Sequence, residues 1–377
     1  MKYMGSKRAM LTNGLGKILI AETSKANRFA DLFVGSGAVA WHVAENTRCQ
    51  VLASDLQLFA VSLAEAVVSR TRIIDADSVW KVWHENAQRS GRRDGLFRET
   101  EHFDGTKWEI ARRRSVAVAR QLCADSRGPI TRAYGGHYFS PKQALVLDAF
   151  RRTLPTDAVT RSVALAALIF AASRCAAAPG HTAQPFQPTK KGSVFLFDAW
   201  RRDIASHVRS GLERICPKHA KVAGNGTVCD AETLAEQLNK KDLAFIDPPY
   251  SGVHYSRFYH VLETIAHGTC GEIEGAGRYP TTRERPKSDF SLKSKSKAAL
   301  ERLFTILAER RTRAILTFPR EETSNGLSGP AVEKIASRYF RCSRTIVNGR
   351  FSTLGGSSEN RKARIPAYEI ILILSPH

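Results

Sequence analysis

The run Phe245-Ile246-Asp247-Pro248-Pro249-Tyr250 holds the residues best suited to chemistry. Apolar residues lead into an acid at a strand's end. Two prolines then fix φ and remove two backbone donors, so the loop is stiff and its carbonyls are left to accept hydrogen bonds. Such a site can grip a planar amine: Asp247 and the Pro248 carbonyl each accept one N–H, and Tyr250 stacks on the ring. An exocyclic amine has its lone pair delocalised into the base. Accepting both hydrogens draws the nitrogen toward sp³ character and exposes that pair to an electrophile. Asp247 then acts as an acceptor more than as a full base, because the proton can leave after alkylation. The plainer reading is a strand-terminating Pro-Pro turn with an incidental acid; acid, prolines and aromatic in order favour the chemical one.

A second signal is Asp31-Leu32-Phe33-Val34-Gly35-Ser36-Gly37. Glycines just past a strand let the backbone approach a ligand and adopt φ > 0. Alone, the pattern is either a nucleotide site or a plain β-turn. It lacks the third glycine of the dinucleotide fingerprint, and no phosphate-binding Gly-Lys-Ser follows. A ligand without phosphates is preferred, and S-adenosylmethionine suits. Asp55, about 20 residues after the turn, ends the next strand where an acid can hold ribose hydroxyls. It can equally cap the helix that starts at Leu56, and the two roles coexist. Asp230 faces the same choice between a helix cap and the adenine amine of the cofactor. After the tetrad, Tyr255 and Arg257 stand in a Tyr-Ser-Arg-Phe-Tyr-His run, either touching displaced strand or phosphate or packing on a sheet. The histidines have no metal-ligand spacing, so no metal is expected.

Together these segments resemble the Dam-like, alpha-group family of DNA adenine methyltransferases. The opening Lys2-Tyr3-Met4-Gly5-Ser6-Lys7-Arg8 looks like that family's N-terminal motif, which implies Tyr3 and Lys7 as S-adenosylmethionine contacts. The resemblance likewise implies Asp31 to Gly37, with Phe33, Gly35 and Gly37, as the methionine-binding turn. It makes Asp55 the ribose-binding acid, Asp230 the adenine-contacting acid, and Asp247, Pro248, Pro249 and Tyr250 the catalytic tetrad. Motif order agrees. The likeness covers residues 1–60 and about 160–270 and thins in the last third. Residues 75–160 match nothing one by one, and families of this kind place target recognition there.

These residues need a scaffold. Arg28 to Val34 reads as a buried strand, Ala38 to Glu45 as a helix and Gln50 to Ser54 as the next strand. This βαβ rhythm implies a parallel sheet with a ligand crevice at its strands' carboxyl ends. The pattern lapses over 75–160, which is rich in Arg, Gly and Trp, and an apolar helix follows at Val163 to Ala178. Strands resume at Val222 to Cys229, Leu243 to Ile246 and Arg313 to Phe318, and a hairpin pairs Thr345 to Phe351 with Tyr368 to Leu374. The expected fold is α/β, a Rossmann-like, mostly parallel methyltransferase sheet with a C-terminal antiparallel hairpin. Residues 1–74 and 160–377 form it, and 75–159 are an inserted, largely helical DNA-recognition lobe.

Composition names the partner class. The 377 residues carry a formal net charge of +21, which attracts polyanions, and nucleic acid is the first to consider. Basic stretches contain Arg89, Arg92, Arg93 and Arg112 to Arg114, then Arg278 to Lys297, then Arg338 to Arg364. No stretch of about 18 apolar residues is expected to span a bilayer. The seven scattered cysteines form no C-x-x-C pair and read as small core residues in a reducing cytoplasm. The expected partners are double-stranded DNA and a cognate restriction endonuclease or defence components, with the target adenine flipped from the duplex. Two rivals stand: an RNA base-amine methyltransferase, and a DNA-binding protein that has lost catalysis. The large basic insertion argues against the first, the intact tetrad and glycine turn against the second.

Overall fold

At the centre of the sheet lie strands whose apolar runs are buried on both faces, as parallel strands covered by helices must be. In the computed structural model residues 5–101, 112–351 and 365–377 are described, and Tyr3, Arg361, Lys362 and Arg364 lie outside them. In chain order the strands are β1 (Arg28–Asp31), β2 (Gln50–Asp55), β3 (Asn225–Val228), β4 (Asp242–Ile246), β5 (Ile273–Glu274), β6 (Tyr279–Pro280), β7 (Arg313–Pro319), β8 (Phe340–Phe351) and β9 (Ile365–Pro376). All but β5 and β6 join one sheet of order β3-β2-β1-β4-β7-β9-β8. The pairs from β3 through β7 are parallel, while β9 runs antiparallel to both β7 and β8. The C-terminal hairpin is longer than its apolar core suggested, registering from Phe340↔Pro376 to Phe351↔Ile365. At the far edge, β3 is shorter than predicted, because Asn225, Gly226 and Thr227 make a polar, exposed strand.

Register is fixed at the amino ends of the strands. Arg28 opens β1 and grips Asp242, the first residue of β4, with two bonds of 3.0 and 2.6 Å. That bidentate pair aligns Arg28 with Asp242 and so Asp31 with Phe245. The carboxyl ends of β1 and β4 therefore finish side by side, where ligands bind in open α/β sheets. On one face, Ala30, Leu52, Ala244, Ile246 and Leu316 pack with Leu300, Leu303, Phe304 and Leu307 of the helix Ser296–Glu309. Truncating one of these leucines to alanine costs roughly 2–5 kcal/mol.

The chain forms two compact units. One, holding the large sheet, consists of residues 5–72 with His219–Tyr255 and Pro286–His377. The other consists of Ile73–Lys218 and Ser256–Arg285. It is mainly helical, with the small β5–β6 hairpin, and it extends well past the predicted limit at residue 159. The reason is the helix Ala158–Cys175, which the sequence seemed to return to the sheet domain. It packs instead on the helix Ile204–Ile215, where Gly211 lets Ala167 approach closely. This helix also corrects the expectation about membranes: its 18 residues, with mean hydropathy 1.4, are long and apolar enough to cross a bilayer. Here it is a core element of the helical unit, with Val163 through Cys175 largely buried. Trp80 and Trp83 share a helix there; Trp83 is buried and donates to the Phe150 carbonyl at 3.1 Å.

Candidate active site

The glycine turn is held from several sides. Beyond β1, Leu32 N–H donates to the Phe245 carbonyl at 3.1 Å and Val34 N–H to the Ser54 carbonyl at 3.0 Å. The backbone then turns through positive φ at Gly35 (48°) and Gly37 (74°). At Gly37 a Cβ would also lie 3.2 Å from the Trp41 indole nitrogen, a tight approach added to a backbone conformation that favours glycine. Asp55 fixes the turn from β2, accepting from Gly35 N–H and Gln57 N–H, each at 3.0 Å. The helix Ala38–Asn46 starts at Gly37 with no side-chain cap. Its leading N–H groups favour an anionic partner.

Asp31, at the end of β1, is 1% exposed. Its Oδ1 has no hydrogen-bond partner among the described residues. Burial, reinforced by the nearby charges of Asp247 and Asp55, pushes its carboxyl up to about 8, against backbone N–H groups of Phe33 and Ala40 that favour the ion. A buried carboxyl with an unfilled oxygen fits a cationic ligand group.

The tetrad leaves β4 next door. Asp247 is bound through one oxygen: Oδ1 accepts from the Thr317 hydroxyl at 3.0 Å and faces Lys7 Nζ at 2.9 Å. Among the described residues no donor reaches Oδ2. Lys7, 3% exposed, also pairs with Glu369 Oε2 at 2.8 Å. Burial would lower the ammonium's pKa, but the two carboxylates hold it above the ordinary lysine range. For Asp247, burial outweighs the opposing Lys7 charge, Glu369 adds repulsion, and the carboxyl rises to about 6.

The backbone that follows is divided in the same way. The buried Asn325 amide donates to the Pro249 carbonyl at 2.9 Å and to the Phe290 carbonyl at 3.1 Å. Among the described residues no donor reaches the Pro248 carbonyl. Two acceptors one residue apart, Asp247 Oδ2 and Pro248 O, are thus left for a ligand. Tyr250 is half-buried, edge-on to Phe318 at 6.3 Å, with Lys7 Nζ 5.5 Å from its ring centre. Gly5, at φ 71°, passes so close that a Cβ there would collide with the Tyr250 hydroxyl.

The sequence-predicted residues therefore fall into groups. Asp31, Gly35, Gly37 and Asp55 gather at the ends of β1 and β2, and Lys7 joins Asp247, Pro248, Pro249 and Tyr250 beyond β4. Phe33 is half-buried, edge-on to Phe290 at 5.0 Å. Asp230, just past β3, is exposed and caps the helix Ala231–Ala235 through Thr233 N–H at 2.8 Å. Tyr255 ends one segment of the sheet unit, whereas Arg257 belongs to the helical unit, its guanidinium 4.9 Å from the Tyr279 ring centre. Sequence reasoning missed Thr317, Asn325 and Glu369. Only Glu369 carried a signal, as a lone acid heading the apolar run Ile370 to Leu374, where an unpaired charge is costly.

A parallel sheet with one reversed strand between β7 and β8, and acids gathered at its strands' carboxyl ends, is the fold of a methyltransferase. The chain belongs to the D12 class N6 adenine-specific DNA methyltransferase family, whose model matches residues 3–315. It is also similar to Modification methylase LlaI of Lactococcus lactis subsp. lactis, with 23% identity over 310 residues, covering 80% of this chain and 43% of that protein. The chain thus spans less than half the length of that curated relative. Thr317, Asn325 and Glu369 all lie beyond the family match.

Proposed function

We propose that this chain transfers a methyl group to the exocyclic 6-amino group of adenine in double-stranded DNA, with S-adenosylmethionine as donor. The observation that carries the reading is the pair of acceptors that no donor reaches among the described residues, Asp247 Oδ2 and the Pro248 carbonyl, beside a buried acid that meets no cation among them. Family membership supports the same substrate.

Asp31, with Phe33, Gly35 and Gly37, holds the amino-acid end of the cofactor. The unfilled Asp31 oxygen suits an ammonium, and the uncapped helix start suits a carboxylate. Asp55 keeps the turn rigid from the end of β2 and is the proposed ribose-binding acid, with Asp230 two residues past its neighbour Val228 on β3. Bound S-adenosylmethionine supplies an electrophilic methyl group on a sulfonium. Asp247 and the Pro248 carbonyl accept the two amine hydrogens and fix the direction of the nitrogen lone pair. Tyr250, braced by Phe318, Lys7 and Gly5, packs on the base. A stacked adenine cannot enter such a site, so it leaves the duplex at a cost of roughly a few kcal/mol. Most of the rate gain comes from positioning.

The net charge of +21 supports strongly salt-dependent phosphate binding. The helical unit, Ile73–Lys218 with Ser256–Arg285, is the proposed reader of the target, and Tyr255 and Arg257 are proposed DNA contacts. The relative's description as a modification methylase supports pairing with a restriction endonuclease.

The test is nucleoside analysis after methyl transfer from labelled donor to duplex DNA and, separately, to total RNA. N6-methyladenine in DNA is expected. Asp247→Ala should lower it roughly 10²- to 10⁴-fold while cofactor binding by calorimetry persists. Label in RNA alone, or near-normal DNA methylation by the variant, overturns the reading.

A further inference from the structure

Resting on that reading, we propose that Glu369 is a positioning residue of the site: acting through Lys7, it holds the Asp247 carboxylate with Oδ1 turned inward and Oδ2 presented to the target amine.

The argument starts from position. Glu369 sits on β9, opposite Pro319 of β7 on one side and Val347 of β8 on the other. It is 8% exposed, within β9 just before Ile370 to Leu372, which are almost fully buried. An acid there serves no packing purpose and must be paired. Its recorded partner is Lys7, at 2.8 Å. Lys7 already has Asp247 at 2.9 Å, which alone would balance its charge. The second carboxylate therefore does something other than neutralise.

Geometry shows what that is. Lys7 comes from the amino-terminal segment, Asp247 from the loop after β4 and Glu369 from β9, with Thr317 of β7 donating to the same Asp247 oxygen. The ammonium is thus met by a carboxylate on each side, Asp247 at 2.9 Å and Glu369 at 2.8 Å. The Thr317 hydroxyl and the ammonium then both meet Oδ1, one by a hydrogen bond and one as an ion pair, and Oδ2 is left to face the other way. Glu369 also shares the ammonium's charge, so Asp247 remains a stronger acceptor than it would be with Lys7 to itself. The charged groups acting on the Asp247 carboxylate are Lys7, Glu369 and, from β1, Asp31. Of these, only Glu369 lies on a strand with no other part in the proposed chemistry.

The experiment compares wild type, Glu369→Gln and Glu369→Asp in steady-state DNA methylation across pH, with cofactor affinity measured in parallel. Asp247 must be ionised to accept, so activity falls at acid pH as its carboxyl protonates. Removing Glu369's charge removes a repulsion that raises that carboxyl. Glu369→Gln should therefore lower kcat roughly 10- to 100-fold, the scale of a misaligned reacting group. Its acid limb should shift about one unit toward lower pH, with cofactor affinity unchanged. Glu369→Asp keeps the charge at a shorter reach, so it should lose kcat yet retain the wild-type acid limb. It also supplies the decisive profile if the glutamine variant fails to fold. Wild-type kcat in Glu369→Gln, or an acid limb shifted alike in both variants, overturns the proposal. A wild-type chain that does not methylate DNA adenine overturns instead the reading on which it rests.

Discussion

Asp31 and Asp247 leave the sheet at the ends of neighbouring strands, β1 and β4, yet their surroundings differ in kind. Around Asp31 the described residues supply backbone N–H groups and no cation; one oxygen has no partner among them, and burial pushes the carboxyl up to about 8. Around Asp247 the chain supplies Lys7 and the Thr317 hydroxyl on one oxygen, and there the carboxyl rises only to about 6. The first environment is incomplete without a positive ligand. The second is complete except on the side where an amine would arrive. On the proposed reading, two acids of one type at adjacent strand ends would take opposite tasks, binding a charge and aiming a neutral donor, according to what the rest of the chain places beside them.

The comparison breaks most visibly if Lys7 is removed. Lys7→Met leaves Asp247 and Glu369 as buried carboxylates with no cation between them, and unfolding free energy should drop by about 3–5 kcal/mol. Denaturant titration measures this, and a loss below about 1 kcal/mol means the ion pairs matter little. Next in size is Asp31→Asn, which keeps shape and removes the charge an ammonium would meet. Donor affinity should weaken roughly 10- to 100-fold, the worth of one hydrogen bond between charged groups; an unchanged Kd contradicts the assignment.

The same variant sharpens the contrast through pH. The folded chain keeps a proton on Asp31 up to about 8, whereas an unfolded aspartate sheds it near pH 4. Between those values the native state binds more protons, so ligand-free stability falls as pH rises through the window and levels off above it. Thermal melts of Asp31→Asn should lack that decline. Smallest of all is Asp230→Ala, which deletes an exposed cap and should cost about 1 kcal/mol or less. A fall in donor affinity beyond that would give Asp230 a cofactor role alongside the cap.

Much of the site was legible because its chemistry is local in sequence. The Asp247 to Tyr250 run and the Asp31 to Gly37 turn each carry acid, glycine or proline within a few residues, and strand–helix alternation placed both at strand ends. What escaped was non-local. Thr317 reaches Asp247 only because β7 pairs with β4, and Glu369 reaches Lys7 only because β9 enters the sheet in reverse. No periodicity announces either. The limits of the helical unit were misjudged for a related reason. An apolar helix such as Ala158–Cys175 looks the same in any core, and its partner, Ile204–Ile215, sits beyond a loop that the sequence gives no reason to fold back.

The reversed entry of β9 carries one more consequence, for how the site comes into being. During synthesis, Lys7 and Asp247 are both on hand once β4 has emerged, but the acid that steadies Lys7 arrives only with β9, after β7 and β8. On that proposal, a ribosome-bound fragment stopped before Ile365 would lack the acid that holds Lys7 against Asp247.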